Sequence, residues 1–180
     1  MKSMASLFII FLPLVLHVVV PVLSVNLYEI VCNEAGQDAD RCVSTLKADK
    51  RVVAAKNYRD LSNSILEMAF DMATSIQSYF DKETIRFPKD NVIRRCSVKY
   101  IDVMEDFKSA IYKLGYNTKG AIDDIHAAGS EAMNCERALS TQKPYNPSMH
   151  ALNSQIYLLT EISVLAINHV ALKEGLSNQP

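Results

Sequence analysis

The chain has 180 residues, with 19 Lys and Arg against 20 Asp and Glu and a formal net charge of −1. No basic stripe interleaves with aromatics, which argues against a nucleic-acid binder. Hydrophobic residues make up 49% of the chain, so a single domain of this length can bury a real core.

The first segment reads as an address. Lys2 gives a basic start, and Leu7 to Leu23 is almost wholly apolar, interrupted by Pro13, His17 and Pro21. Val22-Leu23-Ser24 offers small or moderate residues around a cleavage point. The pattern predicts a signal peptide over residues 1–24 and a mature domain over 25–180. The apolar run is almost long enough for a membrane anchor. Its two prolines, its small final residue and the lack of a basic stop-transfer cluster favour cleavage, with no membrane association afterwards.

Beyond Val25, helical periodicity dominates. The segment from Val25 to Leu46 is too short for a full-length helix and reads as a small helical extension. Leu61, Ile65, Met68, Met72, Ile76 and Tyr79 mark one stripe of a helix from about Asp49 to Asp81. Phe87-Pro88 opens the next helix, with Pro88 in its first turn. Its inner face is Ile93, Cys96, Tyr100, Val103, Phe107, Ala110 and Leu114, and Gly115 ends it. A third helix starts near Thr118 and steps through Ala121, Ile125, Ala128, Ala132, Cys135 and Leu139. Pro144, Asn146 and Pro147 break the pattern, with Asn146 as cap and Pro147 at the first position of a fourth helix. That helix runs through Leu152, Ile156, Leu159, Ser163, Ala166 and Val170 to a stop at Gly175. Leu158, Ile162 and Leu165 widen its stripe and predict the most buried helix. The fold class is therefore all-α, an up-and-down four-helix bundle with an N-terminal helical extension.

All four cysteines follow the apolar leader, which fits two disulfides in an oxidising compartment. They allow three connectivities. Cys96 and Cys135 lie equally far from the turn at Gly115-Tyr116, so an antiparallel helix pair sets them face to face. Cys32 and Cys42 are close in sequence, with Gly36 between them to permit a turn. The other connectivities tie the N-terminal extension to mid-bundle positions and need a less obvious packing. A Cys96–Cys135 loop stabilises by about 4 kcal/mol in the chain-entropy model. Zinc sites favour close Cys-x-x-Cys pairs, and neither pair has that spacing, so no metal is expected. No Asn-x-Ser/Thr acceptor is present, because Asn146-Pro147-Ser148 is excluded by its proline.

Catalytic chemistry is sparse. His126 follows Asp123 by about one helical turn, a base with its orienting acid on paper, but a solvated helix face accounts for both. Asp102, Glu105 and Asp106, like Lys50-Arg51 and Arg94-Arg95, read as surface charge, and Met68, Met72 and Met133 as core fillers. His150 and His169 complete the histidines of the mature chain. The nucleophile elbow, the Gly-rich phosphate loop and His-Glu-x-x-His are absent. No enzyme activity and no cofactor are expected.

The layout as a whole resembles the plant invertase inhibitor and pectin methylesterase inhibitor family. The carriers are Cys32 and Cys42 followed by Leu46, Arg95-Cys96-Ser97-x-x-Tyr100, Ala127-Ala128 with Asn134-Cys135-Glu136, and Leu159-Thr160 to Ala166-Ile167. Several pollen allergens look like this branch. The resemblance implies a bundle with an N-terminal helical hairpin, disulfides in sequential order and an apoplastic or vacuolar setting. It also implies inhibition through a one-to-one complex with a target enzyme. Cell-wall invertase inhibitors carry Pro-Lys-Phe before the helix bearing the last cysteine. Spacing back from Cys135 places Thr118, Lys119 and Gly120 there, and only the lysine matches. Overall likeness puts acid invertase ahead of pectin methylesterase as target. Two readings of other classes compete: a bundle whose core carries a lipid or hormone, and an enzyme built on His126.

Overall fold

A computed structural model describes residues 26–142 and 147–177, with residues 173–177 described by backbone alone. The apolar leader and the Asn146 cap lie outside these residues. Seven α-helices are present among them. The N-terminal hairpin is α1 (Leu27–Asn33) and α2 (Ala39–Lys47), joined by a 3-10 turn at Gly36–Asp38. Gly36 has φ +58°, a left-handed conformation that only glycine adopts without a Cβ penalty. The turn brings Cys32 and Cys42 into a disulfide with Cα atoms 5.4 Å apart.

A short α3 (Lys50–Ala54) leads to the bundle of α4 (Tyr58–Arg86), α5 (Asn91–Lys113), α6 (Thr118–Ser140) and α7 (Pro147–Ser177). Each bundle helix packs on its neighbours in sequence, and α4 closes the ring against α7. Cys96 and Cys135 are bonded across α5 and α6, their Cα atoms 5.0 Å apart. Around them Tyr100, Val103, Phe107, Ile125 and Leu139 are almost fully buried. Asp90 caps α5, accepting from the Val92 and Ile93 amides at 2.9 and 3.1 Å. The same carboxylate accepts from Gln142 Nε2 at 2.7 Å, tying the start of α5 to the end of α6.

Several boundaries differ from the sequence expectation. The helix expected over Asp49–Asp81 is two helices, broken at Ala55-Lys56-Asn57. Asn57 restarts the chain as N-cap, accepting from the Asp60 amide at 2.9 Å while its Nδ2 donates to the Asp60 carboxylate at 2.7 Å. Arg51 then clamps α3 onto α4 through Glu67 at 3.4 Å and Asp71 at 2.9 Å. Pro88 sits in the turn before α5 rather than in its first helical turn. The reason is Asp90, whose side chain satisfies two orphan amides that proline cannot. Gly175 does not end α7, which runs to Ser177.

The α4 stripe is also rotated. Met68, Met72 and Tyr79 lie at the edge of the core, and Ala69, Ala73 and Phe80 face its centre. Alanines admit the close helix approach that a bundle centre demands, so size outweighs hydrophobicity there. Met133, expected as a core filler, is 41% exposed. Among the described residues one helix is long and apolar enough to cross a membrane, Pro147–Leu172, and half of that window is buried in the protein. Ile156, Leu158, Leu159, Ile162, Ala166 and Ile167 of α7 are buried, while Leu152 and Leu165 of the expected stripe lie at the edge of the core.

Candidate target-binding site

The α5–α6 end of the bundle gathers the residues singled out by sequence. Lys113 closes α5, Leu114 through Asn117 make the turn, and Thr118, Lys119 and Gly120 form the first turn of α6 rather than a free loop. Asn117 is the cap, accepting from the Gly120 amide at 2.9 Å. A Cβ on residue 120 would come within 2.5 Å of the Asn117 Nδ2, so the cap side chain lies directly over Gly120. The segment is thereby ordered by helix and cap, without a proline. Lys119 is exposed along 86% of its side chain and pairs with Asp123 one turn on, at 3.0 Å. Two solvated groups held this way gain little from each other, and the ammonium remains deliverable to a partner.

Sequence reasoning missed the aromatic pair beside it. Tyr112 and Tyr116 meet edge to face, ring centroids 5.4 Å apart, and are 74% and 67% exposed. Aromatic pairs of this geometry prefer shelter; here both rings stand in water at the tip of the bundle. Their signal in the sequence is two tyrosines four residues apart flanking Gly115. Arg59 reaches over from α4 to donate to the Leu114 carbonyl, which pins the turn to the bundle. Beneath Tyr112 a cleft of about 470 Å3 opens between α4 and α5, bordered by the polar side chains of Arg59, Asp60, Asn63 and Ser64.

The remaining candidates fall elsewhere. His126 is exposed on α6, and Asp123 is engaged by Lys119 rather than by the imidazole. Asp102, Glu105 and Asp106 lie on the flank of α5. Lys99 bridges Asp102 and Glu131 at 3.2 and 3.0 Å, and Lys113 pairs with Asp124 at 2.8 Å. Hydrogen bonding to Asp124 holds the Lys113 ammonium above its usual range. Asp106 sits between these carboxylates, and partial burial, then Asp124, Asp102 and Glu131, push it up to about 6.

A buried polar chain joins α5, α6 and α7 beside the Cys96–Cys135 bond. The Tyr100 hydroxyl donates to Asn153 Oδ1 at 2.6 Å, and Asn153 Nδ2 donates to Glu136 at 3.0 Å. Glu136 in turn meets His150 Nδ1. Burial holds the Tyr100 phenol well above its usual range. A cleft of about 220 Å3 with Met133 and Tyr157 in its walls lies over this chain. Asn153 spends its amide on Tyr100, Glu136 and the Cys135 sulfur, so the arrangement is chiefly a polar tie between helices.

No group of three or more His, Cys, Asp or Glu side chains that could hold a metal ion occurs among the described residues. All four cysteines are spent in disulfides.

Comparison with known proteins follows the same lines. A crystal structure of a mutant form of a pectin methylesterase inhibitor from Arabidopsis superposes with a TM-score of 0.67 at 18% identity, covering 77% of this chain and 93% of that one. A second, of a pectin methylesterase inhibitor from Arabidopsis thaliana, gives 0.57 at 17% identity, covering 78% and 93%. At such identities the likeness is one of fold. No curated protein sequence matches significantly. The profile of the plant invertase/pectin methylesterase inhibitor family matches residues 26–167, spanning the hairpin, both disulfides and most of α7. The chain therefore belongs to the plant invertase/pectin methylesterase inhibitor family.

Proposed function

We propose that this protein is a secreted, non-catalytic inhibitor that blocks an acid invertase in a one-to-one complex. The observation carrying the reading is the α5–α6 tip, in a chain whose family comprises inhibitors of invertase and of pectin methylesterase. An exposed lysine projects there from a capped helical turn, beside two exposed tyrosines. Tyrosine is among the residues in which interface energy concentrates. Tyr112 and Tyr116 can supply the apolar anchor that phenylalanine gives in cell-wall invertase inhibitors. Lys119 suits the acidic pocket of a glycosidase, whose chemistry rests on paired carboxylates. Helical ordering of Thr118, Lys119 and Gly120 lowers the entropic cost of presenting them. A leader over residues 1–24 would deliver the protein to the apoplast or the vacuole.

The second reading takes pectin methylesterase as the target. It is favoured by two solved structures that share the fold and are of pectin methylesterase inhibitors. Contacts in that case are spread along bundle helices and do not depend on the tip.

The test is inhibition of a plant acid invertase and, in parallel, a pectin methylesterase by the refolded, oxidised protein. The expected result is inhibition of invertase, weakened about tenfold or more by Lys119→Ala or Tyr116→Ala, the loss of one interface anchor. Inhibition of pectin methylesterase alone, unmoved by both variants, selects the second reading. Inhibition of neither overturns both.

A further inference from the structure

The N-terminal hairpin meets the bundle through a contact whose strength depends on one proton. His169 projects from α7 and its Nε2 lies 2.8 Å from Glu34 Oε1, at the C-terminal cap of α1. Its other partner comes from the start of α4. The Tyr58 ring stacks on the imidazole, with centroids 4.3 Å apart and planes 8° from parallel. The histidine is thus sandwiched between a carboxylate of the hairpin and an aromatic face of the bundle, with its side chain only 20% exposed.

We propose that His169 is a pH-sensitive latch that fastens the N-terminal hairpin to the bundle. Histidine is the side chain that gains charge between neutral and mildly acid pH. In the protonated state the bond to Glu34 is charge-assisted at both ends, roughly doubling a neutral bond in strength. The imidazolium is also attracted to the Tyr58 ring beneath it, as cations are to aromatic faces. Loss of the proton leaves an ordinary hydrogen bond and an ordinary stack. The latch is therefore tightest where His169 is charged and Glu34 is ionised. It loosens when the ring loses its proton.

What the latch governs is the fit of the hairpin against α7. Beyond it, a cleft of about 370 Å3 separates the hairpin turn from α7, with Leu158, Val164 and Leu165 on its α7 side. Among the described residues, Glu34 and Asp38 of the hairpin and Glu161 of α7 line this cleft. Asp38 and Arg41 pair with each other at 2.8 Å, and Arg41 also donates to Ser154 of α7 at 3.0 Å. The Arg41 guanidinium is a permanent charge, so of the two tethers only the one through His169 depends on a proton. Both tethers lie outside the shared core that buries Val31 and Leu46.

Hydrogen–deuterium exchange of the oxidised protein, corrected for intrinsic rates, tests this. Amides of residues 27–47 are expected to exchange several-fold faster at pH 7.5 than at pH 5.5, with a smaller change across α5 and α6. His169→Gln and Glu34→Gln each keep a hydrogen-bonding group and remove the charge, and either one is expected to abolish the pH step in the hairpin. Glu34 is 45% exposed at its side chain, so Glu34→Gln leaves folding intact if His169→Gln does not. A pH step that survives in the folded variant, or no step in the wild-type hairpin, overturns the proposal.

Discussion

The hairpin and the bundle are both helical and both carry a disulfide, yet they are held by different means. The bundle helices α5 and α6 have 23 residues each, and α4 has 29. Their stripes make a continuous core. The hairpin helices have 7 and 9 residues, too short to persist alone in water. They depend on Cys32–Cys42, on burying Val31 and Leu46, and on the polar tethers from Glu34 and Arg41. Length decides how much of a helix's stability comes from burial and how much must come from covalent and polar contacts.

The largest expected effect separates the two bonds. Replacing Cys96 and Cys135 by Ala opens a loop with sequence separation 39 and is expected to cost about 4 kcal/mol. Replacing Cys32 and Cys42 opens a separation of 10, for about 3 kcal/mol. In thermal unfolding followed by circular dichroism, the first variant should lower the midpoint of the whole transition. The second should melt the hairpin ahead of the bundle. Equal, fully cooperative shifts in both would show that hairpin and bundle unfold as one unit.

A smaller effect probes the bundle alone. Gly129 of α6 faces Thr160 of α7, and a Cβ there would lie 3.1 Å from the threonine hydroxyl. Glycine is what permits this approach. Gly129→Val should cost about 1–3 kcal/mol by overpacking, read by urea denaturation, and should leave exchange in the hairpin unchanged.

The smallest effect concerns pH. The folded state raises Asp106 to about 6, above the unfolded value of about 3.9. The native protein therefore binds this proton more readily than the unfolded chain, and stability rises as pH falls from 7 through about 6 toward 4. Asp106→Asn should stabilise the protein at pH 7 and flatten this part of the stability–pH curve. Because the carboxyl is partly solvated, the gain should be about 1 kcal/mol or less. Chemical denaturation at pH 5 and 7 measures it. The hairpin latch should persist in this variant, which distinguishes a bundle response from a hairpin one.

Legibility in the sequence followed the same division. The α5–α6 pair could be read residue by residue, from Ile93 to Leu114 and from Ala121 to Leu139. Its apolar residues keep strict spacing, and its cysteines are symmetric about the turn. The break at Ala55-Lys56-Asn57 was missed although Asn57 and Asp60 form a recognisable start signal, because the apolar stepping on either side outweighed it. The rotation of the α4 stripe toward Ala69, Ala73 and Phe80 left no such mark. Hydrophobicity ranks methionine above alanine, whereas close helix packing reverses the order. Lys119 was found by spacing from Cys135. Tyr112 and Tyr116 were not, since an exposed aromatic and a buried one look alike until their neighbours are placed.

The sequence by itself determined the helical class, the four long segments and the cysteine layout, since these follow from periodicity, punctuation and cysteine spacing along the chain, while the family was legible only as a resemblance between motifs. Only the tertiary structure decided which face of α4 is buried, that the tyrosine pair stands in solvent, and that His169 meets Glu34 across 135 residues. Those facts depend on which surfaces of separate helices come together. Local spacing does not encode that pairing, and packing and charge select it when the chain folds.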